Sequence, residues 1–477
     1  MNRNNIWVHI GIAAVLISFA AVIGQIDRWR AGLRVKDTTP VSRTAVTKPT
    51  TTARSSADGE PEVLVRFKSG LSVSDIKRIA SRSNDRVEDE IESVDGLVAI
   101  DDLDNADAAD VARQYESMSE YVAYAEPNFE IGLDDPVNPS ERRRDSATVP
   151  SRLGIPNDPQ FNEQWALNNT GQNGGKANAH IDALKAWAKT QGSEEVVVAV
   201  LDTGVDYNHR DIVANMWSRP DAVPQYFDDE LGGFDDDRGF DANANAPDPM
   251  DDNGHGTHVA GIIGAEGDNG EGIAGINWTV QIMPLKFLGR GGFGSTKNAI
   301  EAINYAIDRK KNGVNLRVIN ASWGSTQNSR ALEDAIRAAG DAGILFVAAA
   351  GNSSTDNDRR PHYPSNYDLP NMISVAALDR NDLLASFSNY GAKSVHVAAP
   401  GREILSTWLG DQYREASGTS MAAPQVAGIA ALIVANEPKI SMSKLRERIL
   451  KSSDSIDTLF GKVLAGGRLN AAKALGE

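Results

Sequence analysis

The sequence predicts an α/β chain: a mostly parallel sheet flanked by helices, preceded by a small α+β unit and an N-terminal hydrophobic helix. Three observations carry this. From Ile155 onward, continuous apolar runs alternate with helical stretches, the pattern of a sheet covered on both faces. Between Glu62 and Glu126 the periodicities run β-α-β-β-α-β, the split arrangement of two helices over a small antiparallel sheet. Residues Ile6 to Ile26 form an apolar run broken only by weakly polar residues and His9.

Taken in order, that run is long enough, at about 1.5 Å per residue, to cross a hydrocarbon core of about 30 Å. Residues 1–27 therefore read either as a membrane anchor or as a signal peptide, with Ser18-Phe19-Ala20 approximating a small-residue cleavage site. Arg28, Arg30, Arg34 and Lys36 follow it against Arg3 before it, a bias that favours a cytoplasmic C-terminal side and opposes export. Residues 28–60, rich in Thr, Ser and Pro, read as a flexible tether. Residues 61–131 hold the ferredoxin-like unit: strand EVLVRFK, helix Val73 to Arg82, strands Val87 to Ile91 and Leu97 to Asp101, helix Asp107 to Met118 and strand Tyr121 to Glu126. The polar stretch 132–154, with Glu141-Arg142-Arg143-Arg144 and no period, is an exposed, cleavable linker. Residues 155–477 carry apolar strands at Val196 to Asp202, Gln281 to Leu288, Leu316 to Ser322, Gly343 to Gly351 and Met372 to Leu378, with helices at Thr296 to Lys311 and Ser329 to Gly340. In such a fold, ligand chemistry sits at the carboxyl ends of strands.

The 477 residues include 48 Lys+Arg, 65 Asp+Glu and no Cys, with a net charge of −17. No disulfide scaffold or thiolate metal site is available, and the acidic balance argues against nucleic acid as a partner while suiting hard cations held by oxygen ligands.

Four segments stand where chemistry is expected. Asp202-Thr203-Gly204 closes a buried strand; its carboxylate can orient a histidine, cap the strand end or bind a ribose. Asn253-Gly254-His255-Gly256-Thr257-His258 opens a helix; His255 and His258 are three apart, without the Glu and the spacing of a zinc-protease helix. Ala350-Gly351-Asn352 ends a strand in an Asn that can either donate to a developing oxyanion or serve a turn. Gly418-Thr419-Ser420 precedes an apolar helix, placing Ser420 as a plain N-cap or beside free backbone N–H groups that favour a negative intermediate.

Together with INASWG, SFSNYG and VAAPG, these segments resemble the subtilisin-like serine proteases, in the order Asp, His, Asn, Ser, over roughly Asn157 to Leu475. The resemblance implies that Ser420 attacks the scissile carbonyl, His255 moves the proton, Asp202 holds the imidazole, and Asn352 with the Ser420 N–H binds the oxyanion. It implies a substrate strand held between Gly292-Phe293-Gly294 and Ser322-Trp323-Gly324; Trp323, often Leu in the family, either reshapes a side-chain pocket or simply packs. It implies structural calcium at Gln164, Asp211 and Asn269, and a second cation loop through Asp228, Glu230 and Asp236, whose alternative is a solvated acidic loop. Residues 61–131, ending in Tyr124-Ala125-Glu126-Pro127-Asn128, resemble the inhibitory propeptide of that family. The expectation is a self-processing serine endopeptidase acting on polypeptides, inhibited by its own propeptide, exported or tethered outside the membrane, and monomeric after processing. Gln425 and Arg210 depart from the family pattern at positions outside the catalytic set, and Met421 beside Ser420 predicts sensitivity to peroxide. A silent binding protein of the same fold and a metal hydrolase using His255 and His258 are the rival readings.

Overall fold

Strand Gly192–Asp202 is the axis of the larger sheet, buried from Val196 to its end. Val196, Val198 and Val200 point into one apolar cluster and Val197, Ala199 and Leu201 into another, the alternation of a strand covered on both faces. The structure, a computed structural model, describes residues 63–134, 137–140, 155–228 and 232–476, all within the unit Ala53–Glu477. The apolar run 6–26, the tether 28–60 and most of the linker 132–154 lie outside the described residues.

The sheet has nine described strands, in the order Phe240–Asp241, Thr279–Lys286, Gly192–Asp202, Leu316–Ala321, Leu345–Ala349, Met372–Leu378, Val397–Pro400, Gly467–Arg468 and Asp454–Ser455. All neighbouring pairs are parallel except the last. The chain leaves Gly192–Asp202 toward one edge and returns on its other side at Leu316–Ala321, so a crevice opens at the carboxyl end of the axial strand, where Asp202 stands. Helices His255–Gly264 and Thr419–Asn436 cover one face; Thr296–Lys311 and Arg330–Asp341 cover the other. Helix Thr419–Asn436 is, among the described residues, the one long and apolar enough to cross a membrane, and 89% of its apolar window is buried in the core. It is apolar all round because protein surrounds it.

The small unit is a four-stranded antiparallel sheet ordered Asp85–Glu90, Leu97–Asp102, Val63–Phe67, Val122–Pro127. Helix Val73–Arg82 starts at a capping box, Ser72 with Asp75, and Ala108–Ser117 starts under Asp107. Val63, Val65 and Phe67 face these two helices, whereas Leu64, Ala99 and Tyr124 face the helices of the larger sheet. The strand expected to begin at Val87 begins at Asp85, a buried carboxylate that accepts the Tyr115 hydroxyl at 2.6 Å. The hairpin Ile404–Trp408 with Gln412–Ser417 was not legible, because its buried members include Ser406 and Thr407. Their hydroxyls donate to the His258 and Thr257 carbonyls, tying the hairpin to helix His255–Gly264.

Candidate active site

Asp202 ends the axial strand fully buried, and its Oδ1 lies 2.7 Å from His255 Nδ1. The approach depends on Gly256, where a Cβ would meet the Gly204 carbonyl oxygen at 2.0 Å, so the helix can press against the strand end only through glycine. Asp251, which drew no notice in the sequence, organises the helix start. Its carboxylate accepts the N–H groups of Asn253, Gly254 and Thr257 at 2.9–3.0 Å and the hydroxyls of Thr203 and Thr257, a negative charge on free helix N–H groups. Burial pulls the His255 imidazole down, but the charge and hydrogen bond of Asp202 outweigh it and raise the ring above its ordinary value, with Asp251 and Asp134 adding to the rise.

Ser420 sits in the first turn of helix Thr419–Asn436. Pro424 cannot bond the carbonyl four residues back; that carbonyl, of Ser420, accepts the Ser322 hydroxyl at 2.8 Å instead. The Ser420 hydroxyl in turn donates to the Ser322 carbonyl at 3.0 Å. Asn352 is oriented by Thr419, whose N–H and hydroxyl both donate to its Oδ1, at 2.8 and 3.0 Å. Its Nδ2 is buried without a partner. A Cβ on Gly418 would come within 3.3 Å of that Nδ2 and 3.6 Å of the Ser420 nitrogen, so both donors border one small volume. A carbonyl placed there gains two donors as its oxygen becomes negative. His258 turns away: its Nε2 faces the carbonyls of Ile404 and Arg414, and burial pulls it down to about 3. Among the described residues no group of three or more His, Asp or Glu side chains is placed to hold a metal ion.

The chain following the small sheet occupies the predicted substrate edge. Gly132, Ile131 and Glu130 pair antiparallel with Phe293, Gly294 and Ser295. The Leu133 N–H donates to Gly292 O at 2.9 Å, and Gly324 bridges Gly132 from the other side. Trp323 is fully buried, donates its indole N–H to Leu201 O at 2.8 Å and lies edge-on to Phe287. It packs and also walls a cavity with Ile131, Thr296 and Leu332. Glu126 accepts the hydroxyl of Ser329 and the N–H groups of Arg330 and Ala331, capping helix Arg330–Asp341. Asn128 accepts the Lys297 N–H at the start of Thr296–Lys311.

The two candidate cation loops differ. Gln164 has both amide atoms bonded to the Ala274 backbone, at 2.8 and 2.9 Å, which braces the loop. Asp211 accepts Asn269 Nδ2 at 2.9 Å and the Ile273 N–H at 3.0 Å. The oxygen without a partner belongs to Asp158, a buried residue that no motif singled out. Burial pushes Asp158 up to about 6, with the charges of Asp211 and Asp268 adding to the rise, and a hard cation would relieve it. In the second loop the reverse holds. Asp236 is bonded by Arg219, Arg309, Tyr305 and the Tyr226 N–H; two guanidinium groups already balance it and would repel calcium, so this carboxylate corrects the expectation of a ligand. Glu230 lies outside the described residues, and Asp228 is buried in the hairpin with Gly232–Phe234.

A peptide strand laid along a parallel α/β sheet, with a histidine–carboxylate pair and a serine at a helix start beside it, is the arrangement of a serine peptidase. The profile of the Subtilase family matches residues 193–470 and that of the Fervidolysin N-terminal prodomain matches residues 34–128; the chain belongs to the subtilase family and carries a prodomain. It is 38% identical over 318 residues to a thermophilic serine proteinase of a Bacillus species, covering 66% of this chain and 70% of that one. It is 37% identical over 320 residues to thermitase of Thermoactinomyces vulgaris, covering 67% of this chain and 99% of that one. A protease from Pseudoalteromonas arctica aligns in structure with a TM-score of 0.53 at 29% identity, covering 67% of this chain and 98% of the other.

Proposed function

We propose that this peptidase cuts polypeptides, its own chain first, through Ser420, His255 and Asp202, with Asn352 and the Ser420 N–H as oxyanion donors. The observation that carries the reading is the buried, unpartnered Asn352 Nδ2 beside the Ser420 nitrogen, since an unused donor there has no structural purpose. The Ser420 hydroxyl turns from the Ser322 carbonyl toward His255 Nε2, gives up its proton and attacks the substrate carbonyl carbon. The resulting oxyanion takes the two donors. His255 then protonates the leaving amine, and water, deprotonated by the same ring, releases the acyl group from Ser420. Asp202 holds Nδ1 and balances the imidazolium.

Asp158, Asp211 and Asn269 are the residues that would hold a calcium ion, which would supply charge balance to that segment and not chemistry at the cleft; the orphaned Asp158 oxygen supports this. The apolar segment 6–26 sends the chain to, or holds it at, the outer face of a membrane, and processing leaves a monomer.

The deciding experiment is intact mass and N-terminal sequencing of the wild-type chain and of Ser420→Ala, purified with calcium from a protease-poor host. The wild type is cut after the prodomain and takes a serine-directed phosphonate on Ser420, whereas Ser420→Ala stays whole. Equal cutting of both, or of neither, sinks the proposal.

A further inference from the structure

The prodomain tail ends with its side chain in a slot built around a histidine. Asp134 places its carboxylate 3.1 and 3.2 Å from His362 Nε2. His362 is 6% exposed, and the Asp134 side chain is 19% exposed. The ring lies between two glycines: a Cβ at Gly324 would fall 2.0 Å from its Cε1, and one at Gly351 3.0 Å from its Cδ2. Gly324 belongs to the edge that holds the tail, and Gly351 precedes the oxyanion donor Asn352. On its far side, His362 Nδ1 is 3.2 Å from Ser365 Oγ, whose own proton goes to the His362 carbonyl at 2.8 Å. Both ring nitrogens thus face acceptors, and both donate when the ring carries two protons and a positive charge.

Register places this slot next to the reacting bond. The tail is main-chain paired through Leu133, and the Asp134 charge is one of those that His255 feels. Pairing resumes at Val137 opposite Ser417, three residues before Ser420. Asp134 therefore lies between the paired edge Gly292–Ser295 and the strand that leads to Ser420.

We propose that the His362 slot selects an acidic side chain: the peptidase cuts on the carboxyl side of Asp and Glu, and its own chain on the carboxyl side of Asp134. This rests on Ser420 as nucleophile. A buried imidazole N–H that faces the slot rejects apolar side chains, which leave it unpaired, while a carboxylate accepts from it. His362 acts here as a specificity residue and takes no part in bond making.

The test uses processed wild-type enzyme, purified with calcium, on fluorogenic peptides Ile-Gly-Leu-X with X as Asp, Asn, Leu or Phe. The expected kcat/KM for Asp exceeds that for Asn by about tenfold or more, and the ratio falls to about one in His362→Leu, which gains on the Leu and Phe peptides. N-terminal sequencing of the processed chain begins at residue 135. A wild type that prefers Leu or Phe, a His362→Leu enzyme that keeps the Asp preference, or a start elsewhere overturns the proposal. If His362→Leu does not fold, the wild-type series and His362→Gln still decide it. Absence of cleavage of every peptide, with no phosphonate on Ser420, instead overturns the catalytic reading and this one with it.

Discussion

The prodomain holds the catalytic unit in two chemically different ways. Its tail, Phe129 to Leu133, is bound mainly through backbone hydrogen bonds to Gly292–Thr296 and Gly324, a mode that tolerates many sequences. Its body is bound through particular side chains. Glu126 and Asn128 cap two helices, Tyr124 donates to Asp334 at 2.7 Å, Arg66 pairs with the same carboxylate, and buried Asp89 meets Lys297 at 3.1 Å. The difference bears on the proposed self-processing: a cut after the tail would free it to leave as a product, while the body contacts do not depend on chain continuity.

Three measurements break or sharpen that contrast. The largest effect belongs to the cleft alone: Asn352→Ala lowers turnover on an exchangeable peptide by about 10²–10³ with little change in KM, and leaves binding of the separated prodomain within a few-fold. A comparable loss of prodomain affinity would erase the distinction between tail and body. Next, Glu126→Ala strips a charged acceptor from three donors and weakens inhibition of the mature enzyme by about 10- to 100-fold, measured as the inhibition constant of added prodomain, while kcat of the mature enzyme is unchanged. An unaltered inhibition constant would place the affinity in the tail. Smallest, chelation of calcium acts on neither surface. It lowers the thermal midpoint by several degrees without changing the inhibition constant at low temperature, and Asp158→Asn abolishes the calcium-dependent part of the shift. Asp236→Asn lowers the midpoint equally with and without calcium. A calcium response lost in Asp236→Asn and kept in Asp158→Asn would reverse the assignment of the two loops.

Those loops show where sequence reading stops. Both are acidic, and the residue types alone could not separate a cation site from an ion-paired carboxylate, because the partners of Asp236 come from distant Arg219 and Arg309. Gln164 shows the same limit: Ala274, 110 residues away, pairs with its amide, and the oxygen without a partner is on Asp158. Asp251 and His362 were missed because a single carboxylate or imidazole without local periodicity carries no signal until the chain folds around it. Strand Gln412–Ser417 of the hairpin is a milder case, since its polar side chains hide its strand character.

Sequence alone determined the order of elements, the parallel sheet, the α+β prodomain and the family, because these follow from local periodicity and from short motifs whose spacing is read along the chain. Helices Val73–Arg82 and Thr296–Lys311 and strand Met372–Leu378 have the bounds that their apolar patterns predict. Tertiary structure decided what no local pattern encodes: that Ser322 takes up the carbonyl left open by Pro424, that Asn352 keeps its side-chain nitrogen free, that Asp158 and not Asp236 keeps an oxygen without a partner, and that Asp134 reaches His362 across 228 residues. Each depends on which distant groups satisfy a buried charge or hydrogen bond, and that balance exists only in the folded chain.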